Sequence, residues 1–169
     1  MIDIKNIVLI GMPGCGKSTI GRLLAQKLGA DFFDADELLA VWEGKSIEEL
    51  FALGEEVFRS AEIRTIARLA EKEGAVIATG GGVVKKSENM ERLKATGIIV
   101  FIDRDVEAIC SDIELTKRPL LALGYERVRA LYDERIELYR NYGNIVVRNE
   151  GPIEEVVDKI ILAMKRVEQ

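Results

Sequence analysis

The stretch GMPGCGKST, residues 11–19, constrains the fold of this chain more than any other feature. It has a glycine, four further residues and then Gly-Lys-Ser, which is the spacing of a P-loop. The apolar, β-branched run NIVLI (residues 6–10) precedes it. The amphipathic stretch KSTIGRLLAQKLG (residues 17–29) begins at Lys17, within the loop motif, and continues beyond it. A buried strand, a glycine-rich turn and a helix in that order predict the opening of a parallel α/β sheet.

This loop has the chemistry of a phosphate-binding site. Its glycines let successive backbone N–H groups face one anion, and the helix N-terminus adds a partial positive charge. Lys17 is expected to reach the β- and γ-phosphates, and Ser18 to ligate Mg²⁺. A glycine-rich turn without a ligand is the alternative, but the motif, its position and the Lys-Ser order all favour a nucleoside triphosphate, which we expect to be ATP. The residues expected to bind it here are Gly14, Cys15, Gly16, Lys17, Ser18 and Thr19.

Further short apolar runs alternate with longer amphipathic stretches along the rest of the chain. Strands buried on both faces and joined by helices predict a parallel α/β sheet with right-handed crossovers. One of the predicted helices runs over residues 55–74. The later predicted strands are ADFFD (30–34), AVIAT (75–79), IIVFI (98–102) and NIVVR (144–148).

Composition narrows the class of protein. The chain has 169 residues, of which 48% are apolar, and this predicts one domain with a sizeable core. The net charge of −5 argues against a general nucleic-acid binder, and the lack of histidine excludes Ser-His-Asp catalysis. The two cysteines are far apart in the sequence, as is typical of a protein in a reducing compartment. The apolar run at the start is too short for a signal peptide, and no apolar run reaches about 20 residues. We therefore expect a cytoplasmic protein that binds no membrane.

Two carboxylates, Asp34 and Asp36, follow the second predicted strand. Ligands of open α/β sheets bind beyond the carboxyl ends of the strands, so both acids should lie near the P-loop. One of them could simply cap a helix. Beside a triphosphate, one can instead hold hydrated Mg²⁺ while the other accepts a hydrogen bond from an attacking hydroxyl group.

Three glycines and three arginines could complete such a site. Gly80–Gly82 directly follow a predicted strand, where bare backbone would let a substrate approach closely, although a plain loop is the alternative. Arg59 and Arg135 lie in predicted helices, and Arg118 lies in TKRPLLALG (116–124), a candidate mobile loop. Each arginine alone is typical of exposed surface charge.

Taken together and in order, these motifs resemble the shikimate kinase family over nearly the full length of the chain. The resemblance implies phosphorylation of the 3-hydroxyl group of shikimate by ATP, giving shikimate 3-phosphate and ADP in aromatic amino acid biosynthesis. It also implies a three-layer P-loop NTPase fold in which residues 1–169 form one kinase domain. That domain would have a five-stranded parallel sheet, a substrate-binding helical subdomain at about 35–60 and a lid at about 112–124. The matching segments are GMPGCGKSTIGRLLAQKLG, FFDADE, SIEELFALGEEVFR, ATGGGVV, RPLL and ERIELY.

The resemblance assigns the substrate contacts. Arg59, Arg135 and the backbone at Gly81 would bind the carboxylate of shikimate. Asp36 would contact the ring hydroxyl groups, including the one that is phosphorylated, and would be the catalytic base. Two guanidinium groups suit one carboxylate because each can bind it through two parallel hydrogen bonds.

The resemblance also assigns the nucleotide and metal contacts. Asp34 would hold Mg²⁺ through water, with Ser18 as a direct ligand. Arg118 would close with the lid and touch both the nucleotide and the transferring phosphate. Because dissociative phosphoryl transfer depends on positioning and charge neutralisation, Lys17, Mg²⁺ and Arg118 should contribute most to the rate.

The chain departs from the family pattern near the lid. The family usually has an arginine about seven residues before the lid arginine, where it stacks on adenine, but residues 110–112 here are Cys-Ser-Asp. The lid looks short, and Glu137 stands where the family has proline. The alternatives are a related gluconate or nucleoside-monophosphate kinase, and a nucleotide-binding module that no longer catalyses phosphoryl transfer.

We expect the chain to act as a monomer.

Overall fold

The structure is a computed structural model that describes residues 5–116 and 124–167, with only the backbone described for 113–116. All strand pairs are parallel, and the strand order is β2-β3-β1-β4-β5. The five-stranded parallel sheet expected from the sequence is therefore confirmed. The strands are β1 (Asn6–Ile10), β2 (Phe32–Asp34), β3 (Val76–Ala78), β4 (Gly97–Asp103) and β5 (Ile145–Arg148).

Helices connect the strands and cover the sheet. Every residue of β1 and β4 is buried, as parallel strands covered on both faces must be. Helix α1 packs against α8, and α4 packs against α5. The helices are α1 (Lys17–Leu28), α2 (Ala35–Glu43), α3 (Ile47–Ala52), α4 (Glu55–Leu69), α5 (Ser87–Thr96), α6 (Val106–Thr116), α7 (Tyr125–Tyr142) and α8 (Ile153–Val167), with a short 3₁₀ turn at Val83–Lys85.

The strand order decides what surrounds the P-loop. Strand β1, which leads into the loop, lies in the middle of the sheet. The chain leaving β2 and β3 carries the two aspartates and the three glycines to one side of it. The ends of β4 and β5 lie on the other side. The P-loop therefore has an acidic, glycine-lined region on one side and the ends of β4 and β5 on the other.

Helices α2, α3 and α4 have a small apolar cluster of their own. It consists of Leu39, Leu50, Phe58 and Ala61, which pack together apart from the main core over the sheet. This cluster falls mostly within the predicted subdomain at 35–60. The subdomain boundary itself stays a prediction.

One predicted helical boundary was wrong, and one helix had no predicted bounds. The helix predicted over residues 55–74 ends at Leu69, because the N–H groups of Glu71 and Lys72 bond to carbonyls only three residues back. The Asn6 side chain also donates to the Lys72 carbonyl at 2.7 Å. Helix α2 was given no bounds from the sequence, although a helix cap by one of the two aspartates was an alternative, and Asp34 does cap it. The predicted lid lies mostly at residues 113–123, outside the described side chains, and so does Arg118.

Candidate active site

The P-loop has the backbone shape that its glycines allow. Gly14 and Gly16 have φ angles of 86° and 100°, which side chains disfavour. Gly16 caps α1 without a side chain, so the first N–H groups of the helix, from Lys17 onward, have no cap of their own. Such N–H groups at a helix N-terminus bind anions, as the sequence predicted for this loop.

Lys17 is buried at the loop, with 8% of its surface exposed. Its Nζ atom donates to the carbonyl oxygens of Gly11 at 2.7 Å and Met12 at 3.0 Å. These bonds hold the ammonium group beside the loop, where a phosphate oxygen would compete with the two carbonyls for it. The ammonium group is thus placed to neutralise an anion bound by the loop.

Cys15 contributes to the loop through its backbone. Its N–H donates to the Met12 carbonyl at 3.0 Å, and its own carbonyl accepts from the Asn149 side chain at 2.8 Å. The thiol is fully buried and lies 3.6 Å from the Lys17 ammonium group. A thiol without solvent access is expected to be unreactive.

Asp34 performs two tasks through its two oxygens. Oδ1 accepts from the backbone N–H groups of Asp36 at 3.1 Å and Glu37 at 3.2 Å and so caps α2. Oδ2 accepts from the Ser18 hydroxyl at 2.5 Å. The sequence left open whether this residue caps a helix or serves the phosphate site, and the structure places it where it can do both.

Asp36 lies deeper in the same cleft. Burial raises the pKa of its carboxyl group, and the neighbouring Asp34 carboxylate raises it further, while Lys17 and Arg59 oppose the rise. A carboxylate with a raised pKa binds a proton more tightly, as a general base needs. The residue is therefore surrounded by the charged groups predicted to act with it.

The three glycines make room for side chains of the protein. A Cβ atom on Gly80 would lie 2.7 Å from Asp36 Oδ1, and one on Gly81 would lie 2.6 Å from the Pro13 ring. A Cβ atom on Gly82 would overlap the Arg59 guanidinium group. None of the three has a positive φ, so these positions need glycine for close approach and not for backbone shape.

Arg59 is a buried cation, which its place in a charged helix did not reveal. Only 5% of it is exposed, and its Nη1 atom donates to Glu62 at 2.9 Å. Its guanidinium group also lies over the Phe58 ring, 5.1 Å from the centroid. Its Nε atom makes no hydrogen bond among the described residues, although the Glu55 carboxylate is 3.5 Å away. The hydrogen bonds of the guanidinium group are therefore incomplete among the described residues.

Arg135 is buried to the same degree, and its Nε atom also has no hydrogen-bond partner in the described part of the chain. One turn further along α7, the Tyr139 hydroxyl donates to the Gly81 carbonyl at 2.5 Å. Buried cations usually have partners, so two incompletely bonded guanidinium groups near the glycines fit a site for an anion.

Most of these groups line one cleft of about 660 Å³. It extends from the P-loop to the apolar side chains of Ile47 and Phe51 on α3. Arg59 and Arg135 are not among the residues that line it. The predicted site residues that line it are Gly14, Gly16, Lys17, Ser18, Thr19, Asp34, Asp36 and Gly81.

Some site residues were missed from the sequence. Glu62 is 2% exposed, and its position three residues after Arg59 on the buried face of α4 was an available signal. Arg104 donates to the Gly14 carbonyl at 2.8 Å and to Asp112 at 2.6 Å. It follows β4 directly, beside the position where the expected adenine arginine is missing. No local pattern marked Arg104 or Asn149.

Comparison with known proteins gives one consistent result. A family model described as shikimate kinase matches residues 13–165. A shikimate kinase of Clostridium botulinum is 49% identical over 156 residues, covering 92% of this chain and 94% of that protein. Shikimate kinase 1 of Escherichia coli is 39% identical over 169 residues, covering 97% of this chain and 98% of that protein. The solved structure of Acinetobacter baumannii shikimate kinase in complex with shikimate matches with a TM-score of 0.91 at 33% identity. The match covers 96% of this chain and 94% of that one.

Proposed function

The chain belongs to the shikimate kinase family, and we propose that its cleft transfers the γ-phosphate of ATP to the 3-hydroxyl group of shikimate. The products would be shikimate 3-phosphate and ADP, in the biosynthesis of aromatic amino acids. The observation that carries this proposal is the meeting of two sets of groups at one cleft. The P-loop with Ser18 and Asp34 lies beside Asp36, and Arg59 lies just behind the glycines.

At the nucleotide end, the loop and the start of α1 would bind the phosphates through backbone N–H groups. Lys17 would exchange its bonds to the loop carbonyls for phosphate oxygens and neutralise charge as it develops in the transition state. Arg118 would add a second positive charge from the lid, which we place at about 112–124.

Mg²⁺ fits the oxygen groups that are present. A hydroxyl group and a carboxylate, from Ser18 and Asp34, are adjacent, and both are hard oxygen ligands. The described residues contain no group of three or more acidic, cysteine or histidine side chains that could hold a metal alone. This supports a metal that binds together with the triphosphate, with Ser18 as direct ligand and Asp34 acting through water. When bound, Mg²⁺ would neutralise charge on the phosphate oxygens.

At the acceptor end, Arg59, Arg135 and the Gly81 backbone would bind the carboxylate of shikimate. Both guanidinium groups are buried and incompletely hydrogen-bonded among the described residues, so they could form strong charge-assisted bonds to it. Asp36 would then face the hydroxyl group that attacks the γ-phosphate and would accept its proton.

The remaining properties are also proposals. We propose a single kinase domain over residues 1–169, with the acceptor-binding subdomain at about 35–60. It would act as a cytoplasmic monomer that binds neither nucleic acid nor membranes. In support, the net charge is −5. No helix in the described ranges is both long and apolar enough to span a bilayer.

The proposal is tested by measuring ADP release with ATP and Mg²⁺ in the presence of shikimate, gluconate or each nucleoside monophosphate. We expect release with shikimate alone and its loss when EDTA removes the metal. Release with another acceptor would mean that the two arginines bind a different anion. No release with any acceptor, from protein that still binds ATP, would favour a nucleotide-binding module over an enzyme.

A further inference from the structure

The glycine loop, Gly80–Gly82, is held by a hydrogen bond from one buried tyrosine side chain. Tyr139 has no exposed surface, and its ring stacks on Phe101 with centroids 5.2 Å apart and 24° between the ring planes. Its hydroxyl donates to the Gly81 carbonyl at 2.5 Å. Burial raises the pKa of the phenol, against the opposing effect of Arg135, so the hydroxyl keeps its proton and remains a donor.

With this bond, each carbonyl group of the glycine loop has a hydrogen-bond donor. The Gly80 carbonyl accepts from the Val83 N–H at 3.1 Å, and the Gly82 carbonyl accepts from the Lys85 N–H at 3.0 Å. With Tyr139 bound to the third carbonyl, all three glycine carbonyls have partners. By contrast, we find no acceptor for the three glycine N–H groups within residues 5–116 and 124–167. The loop thus offers donors to a ligand.

Tyr139 also connects this loop to the helix that carries Arg135, one turn earlier on α7. The two residues are close enough for the guanidinium group to lower the pKa of the phenol. A small rotation or shift of α7 would therefore move Arg135 and the anchor of Gly81 together. Tyr139 and Gly81 are 58 positions apart in the sequence, and the hydrogen bond between them joins α7 directly to the Gly81 peptide, beside the packing of α7 on the turn at Val83–Lys85.

We propose that Tyr139 is a positioning residue for the acceptor: its hydroxyl holds Gly81 so that the Gly81 N–H and Arg135 engage the same carboxylate. This inference rests on the proposed function, because the carboxylate is that of shikimate. The residue touches neither reactant. Its effect should therefore appear in the recognition of one group of the substrate and not in the phosphoryl transfer step.

The test is Tyr139→Phe, which keeps the ring and its stacking on Phe101 and removes one oxygen. The ligands are shikimate and the analogue in which a hydroxymethyl group replaces the carboxylate. We expect the KM for shikimate to rise about tenfold, as for loss of one hydrogen bond in the substrate site, with kcat and the KM for ATP changed less than about twofold. The preference for shikimate over the alcohol should fall by the same factor.

The matched control is Tyr142→Phe, three residues further along α7, where the half-buried ring lies 5.8 Å from the Lys94 ammonium group. It should behave as the wild type. If Tyr139→Phe weakens shikimate and the alcohol equally, or lowers only the melting temperature, the hydroxyl is a structural brace and the inference is wrong. A wild-type chain that does not phosphorylate shikimate would instead refute the proposed function.

One measurement does not depend on the stability of the variant. In the wild-type chain, shikimate should shift the backbone amide NMR signal of Gly81 strongly, and the alcohol analogue should shift it little. Equal shifts with both ligands would show that Gly81 does not read the carboxylate. The role proposed for Tyr139 would then be overturned.

Discussion

Neutralising Glu62 should change the pH dependence of stability. Burial raises the pKa of this carboxyl group from 4.5 to about 7, although the Arg59 guanidinium beside it opposes the rise. The folded chain therefore holds a proton that the unfolded chain releases at lower pH. The stabilisation that this proton gives is fully present below pH 4.5, falls as the pH rises, and is lost above about pH 7.

The size of the effect follows from the two pKa values. Between pH 5 and pH 8, this one group should lower the free energy of unfolding by about 2.5 kcal/mol, at about 1.4 kcal/mol for each pKa unit. Glu62 is 2% exposed, so solvent screening should reduce this little. Glu62→Gln cannot titrate, so its free energy of unfolding should fall by about 2.5 kcal/mol less than that of the wild type over the same range.

Urea unfolding at several pH values, followed by the fluorescence of the single tryptophan, Trp42, measures this difference. Glu62→Gln also removes the carboxyl group that lies 2.9 Å from Arg59 and changes the stability for that reason, so only the change with pH tests the argument. Glu55→Gln is the control. Its carboxyl group also neighbours Arg59, but the hydrogen bond from Lys85 lowers its pKa, so its charge stays constant from pH 5 to 8. Equal pH slopes for the wild type and Glu62→Gln would refute the reasoning.

Three further predictions concern activity. Asp36→Asn should lower kcat by about 10²- to 10⁴-fold, as expected for loss of a general base. The control Glu37→Gln, at the rim of the same cleft, should leave kcat nearly unchanged. Near wild-type turnover by Asp36→Asn would exclude Asp36 as the general base. Arg59→Ala and Arg135→Ala should each weaken shikimate binding at least tenfold in calorimetry and leave ADP binding nearly unchanged. Unchanged shikimate affinity in both would contradict the carboxylate site. Gly82→Ala should raise the KM for shikimate because the new methyl group displaces the Arg59 guanidinium, and a wild-type KM would show that the arginine adapts.

The P-loop and its consequences could be predicted from the sequence alone. The spacing of residues 11–19 fixes which positions turn, which residue starts the helix and where an anion binds, because these depend on backbone geometry within a few residues. The sheet followed from the same kind of local signal, since apolar β-branched runs buried on both faces predict parallel strands. The ordered motifs also indicated the family from the sequence alone.

Burial and pairing of charges depended on the tertiary structure. Arg59 and Arg135 have the local pattern of surface arginines, and only the packing of α4 and α7 around the glycines shows that both are buried. In the same way, the glycines gave no sign of which side chains fill the space beside them. The positions of the lid and of Arg118 remain predictions, because those side chains lie outside the described residues.

The sequence by itself determined the nucleotide end of the site, and the tertiary structure decided how the acceptor end is held. The physical reason is the range of the interactions. The loop at residues 11–19 is shaped by hydrogen bonds and φ angles between near neighbours. At the acceptor end, Tyr139 contacts Gly81 across 58 positions, and Asn149 adds one contact of the same kind to the loop by bonding Cys15 across 134. Such contacts form only after the sheet has brought distant segments together, so no local pattern of residue types could specify them.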